Sequence, residues 1–313
     1  MSDGPDLDAA RARIAGRIWR TPVLRSPGLD AASGRELYLK CESLQRTGSF
    51  KLRGATNAVR ALPESTEGVV AVSSGNHAQA VARAARDAGM QALIVMPADS
   101  SPAKQAATRG YGAEIRTDGV TPLNREDLAR AIAAERGWPL VHPFDDWNVI
   151  SGQGTATLEL LEDAPPLDAV VTPVGGGGLL SGAALACAKL SPDTQVWGAE
   201  PEAGPDAHRS LAEGHRVKLD AAPKTIADGV RTIQIGERTW SVLRERCSGI
   251  ALVSEDALRE ALALVWSRTK VLIEPTSALP VAAVLAGAIP GQRIGIVLSG
   301  GNLDATALAD TIR

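Results

Sequence analysis

A chain of 313 residues, 44% hydrophobic and 22% charged, has the composition of a folded globular protein with enough apolar side chains for one large or two medium cores. Its net charge of −3 comes from acids and bases scattered along the chain, which leaves no basic field for a nucleic-acid backbone. No apolar run approaches the ~18 residues of a membrane span, and the stretch from Met1 to Gly16 lacks the apolar core of a secretion signal, so a cytoplasmic protein is expected.

Along the chain, short apolar runs alternate with stretches of helical periodicity. Gly68 to Val72 precedes Asn76 to Ala88, Ala92 to Met96 precedes Pro102 to Arg109, and Ala113 to Thr117 precedes Arg125 to Arg136. The first of these helices carries Ala78, Val81, Ala82 and Ala85 at i, i+3, i+4 and i+7. Strands that are almost wholly apolar are buried on both faces, and with intervening helices they predict parallel βαβ units. Further strands are predicted at Asp168 to Val174, Gln195 to Ala199, Ile250 to Val253 and Arg293 to Leu298, and Ser254 before Glu255 and Asp256 reads as a helix N-cap. Cys41, Cys187 and Cys247 are odd in number and widely spaced, which fits small buried side chains rather than a disulfide framework or a zinc site.

Three polar segments interrupt this pattern. Lys51 stands between Phe50 and Leu52, ahead of the helical run Gly54 to Leu62; alone it reads as an ordinary surface charge. Gly175, Gly176, Gly177 and Gly178 follow the apolar Val170 to Val174 and lead into a helix from Leu179. Backbone amides there can converge on an anion without Cβ obstruction, at the positive end of a helix, although the spacing is neither that of a dinucleotide site nor that of an NTPase loop. Ser73-Ser74-Gly75-Asn76-His77 lies at a second strand-to-helix junction and is either an anion loop or a helix cap.

Glu42 to Gly54 around Lys51, the Ser73–His77 loop, the glycine run and Ser299-Gly300-Gly301-Asn302 together resemble the fold-type II pyridoxal-phosphate enzymes. The branch is that of serine/threonine dehydratases and serine racemases, and the resemblance runs from Thr21-Pro22 to Asn302. It implies an α/β, two-domain, tryptophan synthase β-like fold with parallel-rich sheets flanked by helices. The large cofactor domain would comprise residues 1–59 and 146–313, with a small domain, 60–145, inserted. It further implies that Lys51, beside Phe50, forms a Schiff base with pyridoxal 5′-phosphate, for which its amine must spend time deprotonated. Gly175 to Gly178 and Leu179 would hold the 5′-phosphate, Asn76 the ring 3′-oxygen and Ser299 the pyridine nitrogen. Ser73, Ser74, Gly75, Asn76, His77 and Arg125 would meet the substrate, with Ser74 on the face opposite Lys51. A neutral serine at the ring nitrogen leaves it largely unprotonated, a weaker electron sink that favours loss of a β-substituent.

The activity so implied is α,β-elimination of L-threonine or L-serine to a 2-oxo acid and ammonia by a homodimer or higher homo-oligomer. Ser74 and Arg125 match racemase-like members and raise serine racemase or 3-hydroxyaspartate ammonia-lyase as alternatives, whereas Phe144 is dehydratase-like. A β-replacement synthase fits less well, because Lys51 is followed by Leu52-Arg53 rather than Asp-Arg. A non-catalytic ligand-binding scaffold would not need all of these groups. Glu200, Gly204 and Asp206 resemble the divalent-cation loop of racemase-like members, suited to Mg²⁺ or Ca²⁺; an acidic turn without metal is the other reading.

Overall fold

The computed structural model describes residues 4–98, 100, 102–121 and 124–303. Among these residues nine strands form two sheets: β1 Val23–Leu24, β2 Glu36–Cys41, β3 Gly68–Val72, β4 Gln91–Val95, β5 Glu114–Arg116, β6 Ala169–Pro173, β7 Gln195–Pro201, β8 Gly249–Val253 and β9 Arg293–Leu298. The larger sheet runs β1-β2-β9-β6-β7-β8 and is parallel except for β1; the smaller, β3-β4-β5, is wholly parallel.

Burial follows the period of two. On β2, β6 and β9, Leu37, Leu39, Val171, Ile294 and Ile296 point into a core shared with the helices Glu255–Thr269 and Pro275–Leu285. Tyr38, Val170 and Val297 point the other way, toward Leu180 and Ala183 of the helix Gly178–Leu190. The smaller sheet is likewise covered on both faces, by Ala78 and Val81 on one and by Ala129 and Trp138 on the other. Continuous apolar strands are the expected signature of such double coverage.

The helix Trp147–Asp163, N-capped by Asp146, ties these layers together. A Cβ on its Gly152 would lie 2.6 Å from the Gly54 Cα, and one on Gly154 would lie 2.7 Å from the Gly182 carbonyl. Backbone therefore packs directly on backbone at both contacts. The two helices so held begin at Lys51 and at Gly178, and their N-termini are set at a fixed spacing.

Beneath this junction lies a buried charged cluster. Arg53, fully buried, donates to both oxygens of Glu42 and of Glu159 at 2.7–2.8 Å. Lys40 donates to Glu159 at 2.7 Å and to the Thr21 carbonyl at 2.6 Å. Burial works against the charge of Glu159, but Arg53 and Lys40 outweigh it and hold this carboxyl below the usual range. All three cysteines are free, with Cys41 and Cys187 buried, as expected from their spacing. Among the described residues no helix is long and apolar enough to cross a membrane.

Candidate active site

The three polar segments meet at the carboxyl ends of β3, β6 and β9, the edge where parallel sheets bind their ligands. The lysine segment is fastened to the turn after β9: the Phe50 amide donates to the Ser299 carbonyl at 2.9 Å, and the Gly301 amide donates to the Gly48 carbonyl at 2.9 Å. Gly48 has φ +71°, and any Cβ there would strike the Asn302 side chain. Lys51 opens its helix half-buried; its Nζ donates to the Pro143 carbonyl at 2.8 Å and lies 5.1 Å from the Phe50 ring centroid. Burial pushes its pKa down to about 8, with Glu274 pulling the other way.

A chain of amides and acids links the other loops to this lysine. Asn302 Nδ2 donates to the Thr47 carbonyl and to Asn76 Oδ1, both at 2.8 Å, and Asn76 Nδ2 donates to Glu274 at 2.9 Å. Glu274 is 4% exposed; burial, then the charge of Asp228, pushes its carboxyl up to about 7. Sequence reasoning missed this residue. A signal was present, because Glu274 is the sole charged residue between Val271 and Gln292. Ser299 is buried with its Oγ 3.0 Å from that of Ser277, a second residue missed.

The glycine run forms a cradle at the start of the helix Gly178–Leu190. Gly177, its N-cap, has φ +91°, which L side chains rarely adopt. The Gly176 carbonyl accepts from Thr239 Oγ1 at 2.8 Å and from the Gly236 amide at 3.2 Å. The 176–177 peptide is planar and trans, so its N–H points away from those donors. The Phe144 ring closes one side, only 2.3 Å from where a Gly176 Cβ would stand. Asp145 holds that ring in place by accepting from the amides of Glu237, Arg238 and Thr239. Thr232 Oγ1, buried and without a hydrogen-bond partner among the described residues, sits beside Gly175. Cβ-free backbone, open helix amides and an orphaned hydroxyl suit a phosphate. Thr232 carried no sequence signal, being one threonine in an irregular stretch.

Ser73, Ser74 and Gly75 lie half-buried between β3 and the helix Asn76–Ala88, with Ser73 Oγ accepting from the Gly75 amide at 3.1 Å. His77 is buried with Nε2 3.0 Å from the Val141 carbonyl; burial pushes its pKa down to about 3, so the neutral ring donates there. Arg125 opens the helix Arg125–Arg136, where among the described residues its side chain forms no hydrogen bond or ion pair with the loop.

Glu200 and Asp206 lie apart from this centre, at the end of β7 and the start of the helix Asp206–Glu213. Glu200 accepts from the Ala207 and His208 amides at 3.0 and 2.9 Å, while Asp206 Oδ2 is buried with no hydrogen-bond partner among the described residues. Burial pushes both carboxyls up, and for Glu200 the nearby Asp206 adds to it. Gly204 packs against Pro223 in the same loop. Among the described residues no group of three or more His, Cys, Asp or Glu side chains is placed to hold a metal ion, so a cation here would need backbone or water oxygens.

A half-buried lysine of lowered basicity beside an anion cradle, at the carboxyl ends of strands from two largely parallel sheets, defines an α/β enzyme that holds a phosphorylated carbonyl cofactor. The model of the family described as "Pyridoxal-phosphate dependent enzyme" matches residues 14–300, and the chain belongs to that family. It is 45% identical to the L-threo-3-hydroxyaspartate ammonia-lyase of Pseudomonas sp, over 100% of this chain and 99% of that one. It is 42% identical to the serine racemase of Dictyostelium discoideum, over 97% of this chain and 96% of that one. Among solved structures, the threonine deaminase of T.th. superposes with a TM-score of 0.92 at 55% identity, covering 95% of this chain and 97% of that one. The cofactor is pyridoxal 5′-phosphate and the fold is the two-domain fold-type II architecture.

Proposed function

We propose that the chain removes the β-hydroxyl and the amino group from small hydroxy amino acids, L-threonine and L-serine first, yielding 2-oxobutanoate or pyruvate with ammonia. The observation that carries this reading is Lys51, whose amine has its pKa pushed down to about 8 beside the anion cradle. Roughly a tenth of such an amine is unprotonated at neutral pH, against a negligible fraction at an ordinary lysine pKa. Bound there, pyridoxal phosphate supplies the aldehyde that captures the substrate amine and the ring that draws electrons from Cα.

The amides of Gly175 to Leu179 would hold the phosphate, with Thr232 Oγ1 as a further donor. Asn76, oriented between Glu274 and Asn302, would present its amide to the ring oxygen, and Ser299 would meet the ring nitrogen. Ser73 to His77 would bind the α-carboxylate at a helix N-terminus, with Arg125 approaching from the helix it opens. Lys51 would then take the Cα proton as the Cβ–O bond breaks; the hydroxyl leaves with a proton as water, and hydrolysis of the C–N bond releases ammonia. The proposed domains, 60–145 and the remainder, place Lys51 on the helix packed between them.

Racemisation is the second reading, favoured by Ser74 as an acid/base on the opposite face and by the names of the racemase relatives; 3-hydroxyaspartate is the alternative elimination substrate for the same reason. A panel of L- and D-serine, L-threonine and the 3-hydroxyaspartates, scored for keto acid and enantiomer, separates these. Lys51→Ala is expected to lose turnover while folding normally; full turnover with full cofactor occupancy sinks the assignment. Ser74→Ala is expected to lose interconversion of enantiomers but keep elimination from L-substrates. Trp19, Leu44 and Leu272, exposed around the Glu42–Gly48 loop, support a homo-oligomer, a homodimer or higher. Three free cysteines fit a cytoplasmic setting. The unpartnered Asp206 oxygen and its acidic neighbour Glu200, with the Gly204 carbonyl, support a Mg²⁺ or Ca²⁺ site.

A further inference from the structure

Each residue of the turn 142–146 has its own partner in or beside the site. The Pro143 carbonyl accepts from Lys51 Nζ at 2.8 Å, and Phe144 fills the space that side chains on Gly176 and Gly178 would need. Asp145 accepts from the first amides of the helix Glu237–Arg246, and Asp146 caps Trp147–Asp163. His142 serves the turn itself: its Nδ1 lies 2.8 Å from the Asp145 amide nitrogen and 3.3 Å from that of Phe144. A backbone N–H can only donate, so Nδ1 must offer its lone pair to both, and the one proton of the neutral ring sits on Nε2. A second proton, on Nδ1, would aim an N–H at two other N–H groups and break both bonds. The His142 ring also meets the Phe144 ring edge to face, with centroids 4.6 Å apart and planes at 87°.

We infer that His142 is a positioning residue: as an acceptor at Nδ1 it fixes the turn that brings the Pro143 carbonyl to Lys51 and the Phe144 ring to the glycine cradle, so the chain holds its cofactor tightly only while this imidazole is neutral. This rests on the reading that the glycine run binds the cofactor phosphate. The groups facing the ring divide. Asp145 and Asp146 in the turn and Glu126 on the helix Arg125–Arg136 favour the imidazolium, whereas burial and the Lys51 ammonium oppose it; His77, on the helix Asn76–Ala88, is itself neutral. Burial is the largest influence and holds His142 below its ordinary 6.5. The contribution of the neutral ring is therefore complete above that ordinary value and is lost as the pH falls through the lowered one. Charge alone predicts the reverse, since a cation in this place would attract phosphate.

The test is the dissociation constant of pyridoxal phosphate, measured by equilibrium dialysis of the holoenzyme against pH, in wild type, His142→Asn and His142→Ala. Asparagine sets an amide oxygen where Nδ1 lies, accepts from the same two amides and does not titrate. At about pH 8 wild type and the asparagine variant are expected to bind alike, with the alanine variant weaker by about tenfold; at about pH 5 the wild type should have lost about tenfold against asparagine. Lys51 and the phosphate titrate in all three proteins, so the ratio at each pH isolates His142. Melting temperatures establish folding, and the ratio of wild type to asparagine carries the test if alanine is not tolerated. A ratio that stays flat with pH, or a wild type that gains on asparagine as the pH falls, overturns the inference alone. Unphosphorylated pyridoxal held by the wild type as tightly as its phosphate overturns the reading of the glycine cradle, and the inference with it.

Discussion

Two regions of the chain each bury a pair of carboxylates. Glu42 and Glu159 are met by Arg53 and Lys40, two negative charges against two positive ones, with hydrogen bonds at 2.7–2.8 Å. Glu200 and Asp206 have backbone amides on Glu200 and no cation among their described partners. The first cluster can stay ionised out of water; the second can bury both carboxyls only with a shared proton or an added cation. The contrast separates a permanent fixture, which anchors the helix that starts at Lys51, from a position suited to reversible occupancy.

Removing one cation should break the first region most severely. Arg53→Met leaves Glu42 and most of Glu159 uncompensated, and is expected to lower stability by about 3–5 kcal/mol in urea unfolding. A loss below about 1 kcal/mol would show that the four groups do not act as a unit. The second region should respond to a cation instead: Mg²⁺ or Ca²⁺ at a hundred times its Kd should add about 2.7 kcal/mol, read as a rise in melting temperature. Glu200→Gln should abolish that rise, and a wild-type melting curve indifferent to metal and chelator would leave the loop a turn.

Titration in chelator sharpens the comparison further, since the two regions have opposite signs. Glu200 and Asp206 are raised above their ordinary 4.5 and 3.8, so above about pH 4 the unfolded chain releases protons the folded chain keeps. Their contribution to stability therefore falls as pH rises, by at most about 1.4 kcal/mol per pH unit for each group. Glu159 is held below 4.5, so its contribution is complete above that value and disappears on acidification through its lowered pKa. Glu200→Gln should flatten the alkaline slope and leave the acid limb unchanged, by melting temperature against pH. The smallest effect belongs to charges left in water: Lys104 and Asp228 form a partly exposed ion pair, and Lys104→Ala should cost about 0.2–1 kcal/mol, less at high salt.

How much of this was legible in the sequence depends on range. The strands β3, β4 and β6 to β9 announce themselves as apolar runs, and the segments around Lys51, Asn76, the glycines and Ser299 stand out from them as motifs. Strand β2 was missed because Lys40 interrupts its pattern, and what neutralises Lys40 lies on Glu159, 119 residues away. The helix Trp147–Asp163 was missed because Gly152 and Gly154 lower its propensity; they are there for contacts no local window contains. Thr232 and Ser277 likewise gain meaning only from the residues folded against them. Arg125 was named from a match in one helix, and among the described residues no bond ties it to the loop it was meant to serve.

The bare contacts of Gly152 with Gly54 and of Gly154 with Gly182 act as a gauge with no adjustable part. Where side chains interleave, a rotamer can absorb an error; where backbone rests on backbone, even one added methyl must be passed on as movement of a whole helix. The two helices concerned carry the amine at one tip and the anion cradle at the other, and misplacement by about an ångström can cost a catalyst roughly a hundredfold. The working distance of this enzyme is thus recorded at four positions where the chain has no side chain at all.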